Sequence, residues 1–364
     1  MTATTATGAP GYGPEQVWLP ASEQLLEWGD GFHSLMLGDE LRMNAYRAAI
    51  AEAVRPGTTV LDLGTGTGIL ARWALEAGAS RVYGIDFNET VLAEAVDRLK
   101  DAGHGDRFQP LCGLSFDLEL PERVDVVVSE IMGNLADNEN FAEILDDARR
   151  RFLRPGGTML PRHVESYLVP VAAERAHAQL TGQGPQDAGG PAAFARLLHR
   201  RGAGSPFDLY YDVIVPRRQH LAAPRVVRTY DLSTPGGTGR PDYRVPLVYT
   251  ARRDGVLTGF KGYFVATLSD TVALDISGDD IGARTTSDSW KHCYLPIAEP
   301  VPLRRGDRVA VTFSRSRPAA ASPGTDASGH AFGQVYRWEG SVVSAGTTVA
   351  RFAHGTDRRT PARP

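Results

Sequence analysis

Lysine is nearly absent from this chain. Only Lys100, Lys261 and Lys291 occur among 39 basic residues, which leaves 36 arginines. That bias, with abundant alanine, glycine and proline, is a mark of GC-rich coding rather than of a partner. Cysteine is equally scarce. With Cys112 and Cys293 alone, a disulfide framework and Cys-rich zinc sites are excluded, and a reducing cytoplasm is the simplest setting. The nine histidines are scattered, with no HExxH and no paired His/Cys spacing, so no metal site is expected. No apolar run reaches the roughly 18 residues that a transmembrane helix requires. The first basic residue is Arg42, so residues 1–41 carry neither a secretory signal nor a transit peptide. A net charge of −4 and a pI near 6.2 give no overall attraction to a phosphate backbone. No nucleic acid and no membrane are therefore expected as partners. What remains is a chain of 364 residues, 42% apolar and 23% charged. That describes a globular protein long enough for two domains.

Residues 1–20 are rich in Thr, Gly and Pro, and residues 1–30 read as a partly disordered lead-in. Apolar residues from Leu35 to Val54 recur at helical spacing until Arg55-Pro56-Gly57 stops them. The next stretch alternates buried strands with helices. Strands are expected at 58–62, 81–85, 124–128 and 158–160, and helices at 69–77, 89–99 and 141–153. Such alternation means a parallel sheet with crossover helices. After residue 162 the strands become short and numerous, at 166–171, 225–230, 257–268, 272–275, 308–313 and 335–343. Residues 181–205 interrupt them and residues 316–329 read as a long exposed loop. The resulting domains are 31–161, α/β, and 162–353, mostly β, followed by a flexible tail at 354–364.

Two segments carry chemistry. In Val60-Leu61-Asp62-Leu63-Gly64-Thr65-Gly66-Thr67-Gly68, glycines replace side chains where a strand turns into a helix and a backbone must approach a ligand. Asp86 ends the following strand, where a carboxylate can accept from both hydroxyls of a ribose. The third glycine comes one residue too early for a dinucleotide fingerprint. Asp62 also places negative charge where a pyrophosphate would be repelled. An ammonium- and sulfonium-bearing nucleoside, S-adenosylmethionine, fits better; a bare strand-to-helix turn without a ligand is the alternative. The second segment, Ser129-Glu130-Ile131-Met132-Gly133-Asn134-Leu135-Ala136-Asp137-Asn138-Glu139, begins where a strand ends. Its two glutamates stand nine positions apart. That is about two and a half helical turns, which would put them on opposite faces; they converge only if the chain loops, and Gly133-Asn134 supplies the break. Converging carboxylates suit a planar guanidinium. Isolated, the pair would read as solvated loop carboxylates.

Together these residues resemble the protein arginine N-methyltransferases, a family of class I methyltransferases, in a divergent bacterial form. The glycine loop, Asp86, Ser129-Glu130-x-Met132-Gly133 and Glu139 look like its cofactor motif and double-glutamate loop. The stretch His33-x-x-Met36-Leu37-x-Asp39-x-x-Arg42 is similar to its cofactor-covering helix. Ser289-Trp290-Lys291 and Pro302-Leu303-Arg304-Arg305-Gly306-Asp307 look like its later strands. The resemblance implies an α/β Rossmann-like methyltransferase domain followed by a mostly antiparallel β-barrel domain with a helical dimerisation arm, near residues 175–220, and hence a homodimer. It implies that His33, Met36, Arg42, Asp62, Gly64, Gly66, Asp86 and Ser115 bind S-adenosylmethionine, that Glu130 and Glu139 grip the substrate guanidinium, and that Phe141, Ser289 and Trp290 border the substrate.

The departures lie on the substrate side. Ser289 stands where the family has a histidine, Phe116 where a glutamate commonly meets the adenine, and Phe141 where dimethylating members often have methionine. Glu27-Trp28 stand where an aromatic-rich motif is missing. The expected activity is therefore methyl transfer to the guanidino group of free L-arginine or a small derivative, in specialised metabolism, with Phe141 limiting the product to monomethylarginine. Arginine within a protein is the alternative substrate, and a silent cofactor-binding regulatory subunit a further reading.

Overall fold

The computed structural model describes residues 14–17, 35–182, 205–317 and 334–357. Helix α1 (Glu40–Ala53) starts at Asp39, whose carboxylate caps it by accepting from the Arg42 amide. Residues 35–38 are also helical, so the single helix expected from Leu35 onward is broken at this cap. Five parallel strands follow: β1 (Thr59–Leu63), β2 (Arg81–Asp86), β3 (Phe108–Cys112), β4 (Val124–Ser129) and β5 (Leu153–Leu160). Helices α2 (Ile69–Glu76), α3 (Glu89–Asp101) and α4 (Phe141–Arg151) connect them. The strand order is β3-β2-β1-β4-β5. Chain direction across the sheet reverses between β1 and β4, and in open α/β sheets that switch point is where ligands bind. The glycine loop leaves the end of β1, and the double-glutamate loop leaves β4, at the aligned pair Leu63 and Ser129.

The second half is antiparallel. One sheet has the order β7 (Tyr211–Val213), β12 (His292–Leu303), β10 (Gly255–Thr267), β6 (His163–Val171), β8 (Arg225–Asp231), with β11 (Ala273–Asp275) paired to β10. The other has the order β15 (Thr347–Gly355), β14 (Val335–Ser344), β13 (Arg308–Ser316), β9 (Tyr243–Thr250). Their inner faces share one apolar core that includes Leu168, Phe260, Leu295, Val311, Phe313 and Trp338. Buried Trp338 of β14 donates from Nε1 to the Pro296 carbonyl of β12 at 2.7 Å, tying one sheet to the other.

Several expectations needed correction. Strand β5 begins at Leu153, so Pro155-Gly156-Gly157 lies inside a strand rather than in a turn. Strands β9, β12 and β15 carry no strand expectation because Pro246, or Pro296, Pro300 and Pro302, or polar residues interrupt their patterns. The structure accommodates the prolines: β9 is an edge strand, and β7 covers β12 only from His292 to Tyr294. The flexible tail expected from residue 354 does not begin there, since His354 and Gly355 belong to β15; residues 358–364 lie outside the described residues. Of the proposed arm, α5 (Glu174–Leu180) is helical, whereas residues 211–213 are built into the sheet on β12; residues 183–204 lie outside the described residues, as does most of the 316–329 loop. Within the lead-in, Glu15 is buried and accepts from the Arg175 amide and Gln219.

Truncating Trp338 removes a fully buried indole and the bond between sheets. Trp338→Ala is expected to cost about 3–5 kcal/mol, read as a lowered denaturation midpoint; an unchanged midpoint would mean the sheets do not depend on this contact.

Candidate active site

The glycine loop is shaped by what would collide with it. Gly64 has φ +74°, and a Cβ there would stand 2.8 Å from Ile131 Cγ2. The two loops at the switch point therefore touch. Gly66, at φ +52°, has only the Gly64 carbonyl oxygen, 4.0 Å away, near where its Cβ would be, which leaves its backbone approachable by a ligand. Its amide donates to Asp86 Oδ2 at 2.9 Å, and the Asn88 amide donates to Asp86 Oδ1 at 2.9 Å. Asp86 is thus oriented by two backbone donors, and each of its oxygens retains acceptor capacity.

Asp62 is fully buried on β1. Its Oδ2 accepts from Thr65 Oγ1 at 2.7 Å and from the Ala71 amide at 2.9 Å. Oδ1 is buried with no hydrogen-bond partner among the described residues. An orphaned carboxylate oxygen beside a glycine cradle is what a ligand ammonium would satisfy. Burial pushes Asp62 up to about 7, against the pull of Thr65 and Ala71. Ser115 is buried in a short 3-10 turn. The carbonyls of Ser115 and Phe116 both accept from Arg151 Nη1, at 2.9 and 3.0 Å, so Arg151 fixes the backbone of this turn.

On the other side, Arg42 forms an ion pair with Glu130, their side chains 11% and 7% exposed. Its guanidinium lies over the face of Trp290, 5.1 Å from the ring centre. Burial lowers the Arg42 pKa to about 10, while neighbours including Glu139 raise it. Glu139 sits in a 3-10 turn (Asp137–Glu139) and is pushed up to about 7 by burial, with Arg42 opposing. Both glutamates of the loop therefore act on one guanidinium. Met36 is half-buried in the segment that precedes α1; His33 lies outside the described residues.

Trp290 is fixed by its own bonds: Nε1 donates to the Met132 carbonyl at 2.5 Å, and its ring meets Phe264 edge-on. Ser289 donates from Oγ to Asp39 Oδ2 at 2.7 Å and from its amide at 3.1 Å. Ser287 donates to the same oxygen. The helix cap of α1 is thereby locked to the 287–289 segment by hydroxyls, with no imidazole between them. Phe141 is fully buried edge-on against Tyr230 at 5.0 Å, behind the loop.

Sequence reasoning missed three contributors. Asp212 of β7 accepts from Asn134 and is pushed up to about 7, first by burial and also by Glu139, with Lys291 opposing. Asp137 and Arg315 form a buried knot behind Glu139. For Asp137 the only local signal was an acidic residue between Ala136 and Asn138. Among the described residues, no group of three or more His, Cys, Asp or Glu side chains could hold a metal ion.

The chain is similar to known methyltransferases. A methyltransferase-domain model matches residues 60–157, and a model described as the PRMT5 oligomerisation domain matches residues 163–321. The chain is 38% identical over 144 residues to a probable protein arginine N-methyltransferase 6 of Arabidopsis thaliana, covering 39% of this chain and 33% of that protein. It is 32% identical over 289 residues to a probable histone-arginine methyltransferase CARM1 of Oryza sativa subsp. indica, covering 75% of this chain and 52% of that protein. The chain thus spans about a third to half of the length of these curated relatives. Among solved structures, the Trypanosoma brucei PRMT1 enzyme-prozyme heterotetrameric complex with AdoHcy superposes with a TM-score of 0.72 at 22% identity, over 90% of this chain and 98% of that chain. That likeness concerns the fold.

A carboxyl raised by the folded state adds stability at low pH and loses it as pH rises through the folded value. For Glu139 that value is about 7. Glu139→Gln is therefore expected to melt higher than wild type at pH 8, with the gain shrinking towards pH 5. A difference in Tm that ignores pH would show that Glu139 is not held in this environment.

Proposed function

The chain belongs to the protein arginine N-methyltransferase family, and from that premise we propose that it transfers a methyl group from S-adenosylmethionine to a guanidino nitrogen of arginine held in a polypeptide. The observation that carries this reading is the Arg42 guanidinium seated against Glu130, within the field of Glu139 and over Trp290. A cleft that accepts its own arginine there has the chemistry to take a substrate's. The relatives favour peptidyl arginine over the free amino acid expected from the sequence, and nothing found supports a role in specialised metabolism.

S-adenosylmethionine, when bound, supplies an electrophilic methyl on a positively charged sulfur. The residues present fit it: Asp62 Oδ1 has no partner among the described residues and can take an ammonium, the space beside Gly66 admits a ligand, and Asp86 can accept from a ribose. Met36, Ser115 and Arg42 complete its side of the cleft. Glu130 and Glu139 orient the substrate guanidinium and draw its positive charge towards two nitrogens, leaving the third richer in electron density. Transfer then needs the nitrogen in line with the methyl, and holding it there is the main contribution of the protein. Because the methylated guanidinium must lose a proton, Glu139, with a pKa near 7, is the group suited to accept it. The oligomerisation-domain match supports a working homodimer, and the two unpaired cysteines suit a cytoplasmic setting.

The test is an assay of purified protein with S-adenosylmethionine and either an arginine-rich protein or free L-arginine, read by mass spectrometry. Methylation of the protein is the expected result. Methylation of free arginine alone would overturn the substrate class, and bound cofactor with no transfer would make the chain a regulatory subunit. Glu130→Gln is expected to lower kcat about 10²–10³-fold; wild-type turnover would refute the guanidinium clamp. Asp86→Ala should instead raise the cofactor Kd about tenfold or more, through the loss of charged hydrogen bonds.

A further inference from the structure

The turn that carries Glu139 is strained on both sides. Ala136 has φ +67° and ψ −67°, the rare form of a three-residue turn, and Asn140 has φ +59°. Such conformations persist only where the surroundings fix them. Here the surroundings are four strands of the antiparallel half. Tyr230 of β8 donates to Asp137 Oδ2 at 2.5 Å, and Tyr243 of β9 donates to the same oxygen at 2.8 Å. Tyr336 of β14 donates to Asp137 Oδ1. Arg315 of β13 brings Nε to 3.5 Å from Oδ2. The same guanidinium donates to Asn140 Oδ1 at 2.5 Å, to Glu143 Oε1 at 3.2 Å and to the Pro241 carbonyl at 2.8 Å. Asp137, Tyr230, Tyr336 and Arg315 are each no more than 3% exposed.

A carboxylate is the one side chain able to accept from so many donors at once. Burial raises the phenols well above their ordinary range, so they remain donors. Burial opposes the charge of Arg315, but Asp137 and Glu143 outweigh it and hold the guanidinium charged. These hydrogen bonds end on Asp137, Asn140, Glu143 and the Pro241 carbonyl, and none of them ends on Glu139 itself. Glu139 is left facing Arg42 and Asp212.

We propose that Asp137, held by Tyr230, Tyr243, Tyr336 and Arg315, is the positioning residue of the site, and that this knot, anchored in the antiparallel half, sets where the Glu139 carboxylate stands against the substrate guanidinium. The proposal rests on the functional reading above for its effect on turnover, but not for its effect on Glu139 itself. It also gives the second half of the chain a role in the chemistry: four of its strands aim a carboxylate that belongs to the first.

Two phenylalanine variants and one at Asp137 test it. Tyr243→Phe and Tyr336→Phe, singly and together, remove donors to Asp137 without altering any charge at pH 7; Asp137→Asn is the stronger change. Four quantities are compared with wild type: the melting midpoint, the Kd for S-adenosylmethionine by calorimetry, kcat and KM on an arginine-rich protein, and the titration midpoint of Glu139 by carboxyl NMR on protein carrying ¹³C-labelled glutamate. The double phenylalanine variant is expected to stay folded and to keep its cofactor Kd within about twofold. Its kcat should fall about 10- to 100-fold, as for a misplaced catalytic group, with a smaller change in KM and a shift in the Glu139 midpoint. A Glu139 midpoint that stays put while kcat stays at the wild-type value overturns the proposal. So does a loss of kcat that merely tracks loss of folded protein. Should Asp137→Asn fail to fold, the single phenylalanine variants decide. A wild-type protein that methylates no guanidine counts against the functional reading alone, and the NMR midpoints still decide the positioning.

Discussion

A guanidinium out of water must be met by carboxylates, and much of this molecule is arranged around one such meeting. Arg42 is nearly buried, it stays charged, and it lies against Glu130 with Glu139 close by and Trp290 beneath it. Each partner comes from a different part of the chain: α1, the end of β4, the 3-10 turn that follows, and the segment before β12. Removing one partner from a buried pair leaves the other charge uncompensated, which costs far more than the pair contributes. The covering helix, the parallel sheet and the antiparallel half are therefore coupled through one electrostatic contact. Asp39 reinforces that coupling, because one carboxylate both caps α1 and accepts from Ser287 and Ser289.

The same economy explains why so many acids here are hard to ionise. Asp62, Glu139 and Asp212 are each raised to about 7 by burial. A fold selected only for stability would replace them with apolar or amide side chains. Instead the cores on either side of the cleft, including Val60, Leu61, Val127 and Val128 in one half and Phe313 and Trp338 in the other, are fully or nearly fully buried and offset the cost. The unpartnered Oδ1 of Asp62 belongs to this pattern. It is a polar atom with no partner among the described residues, and a cationic ligand can satisfy it.

What could be read in the sequence was what is local. The strand–glycine–helix unit of β1 and α2, the strand ending at Asp86 and the loop after β4 each announce themselves within about a dozen residues, because glycine, period and charge act over that range. The prolines of β9 and β12 hid strands whose tolerance for proline depends on which neighbours they lack, a property of the sheet and not of the segment. The break at Asp39 was hidden for a related reason, since the capping carboxylate also answers to serines almost 250 residues away. Asp137 was invisible for the same cause in stronger form. Its donors sit at 230, 243 and 336 and its ion-pair partner at 315, and no local pattern distinguishes it from an exposed loop aspartate.

That contrast has a consequence for how the site is divided between the two halves. The residues named by short motifs, Asp62, Gly64, Gly66, Asp86, Glu130 and Glu139, all stand on the parallel sheet or its loops. The residues that motifs did not name, Asp137, Asp212 and Arg315, reach the same loop from strands or bonds of the antiparallel half. On the proposal above, a change in the second group moves Glu139 of the first. Ser289 tied to Asp39 and the knot on Asp137 show how closely that half is joined to the helix and the loop of the other. Differences in substrate choice should then follow the residues that aim and border the glutamates, while the cofactor side and the clamp stay as they are.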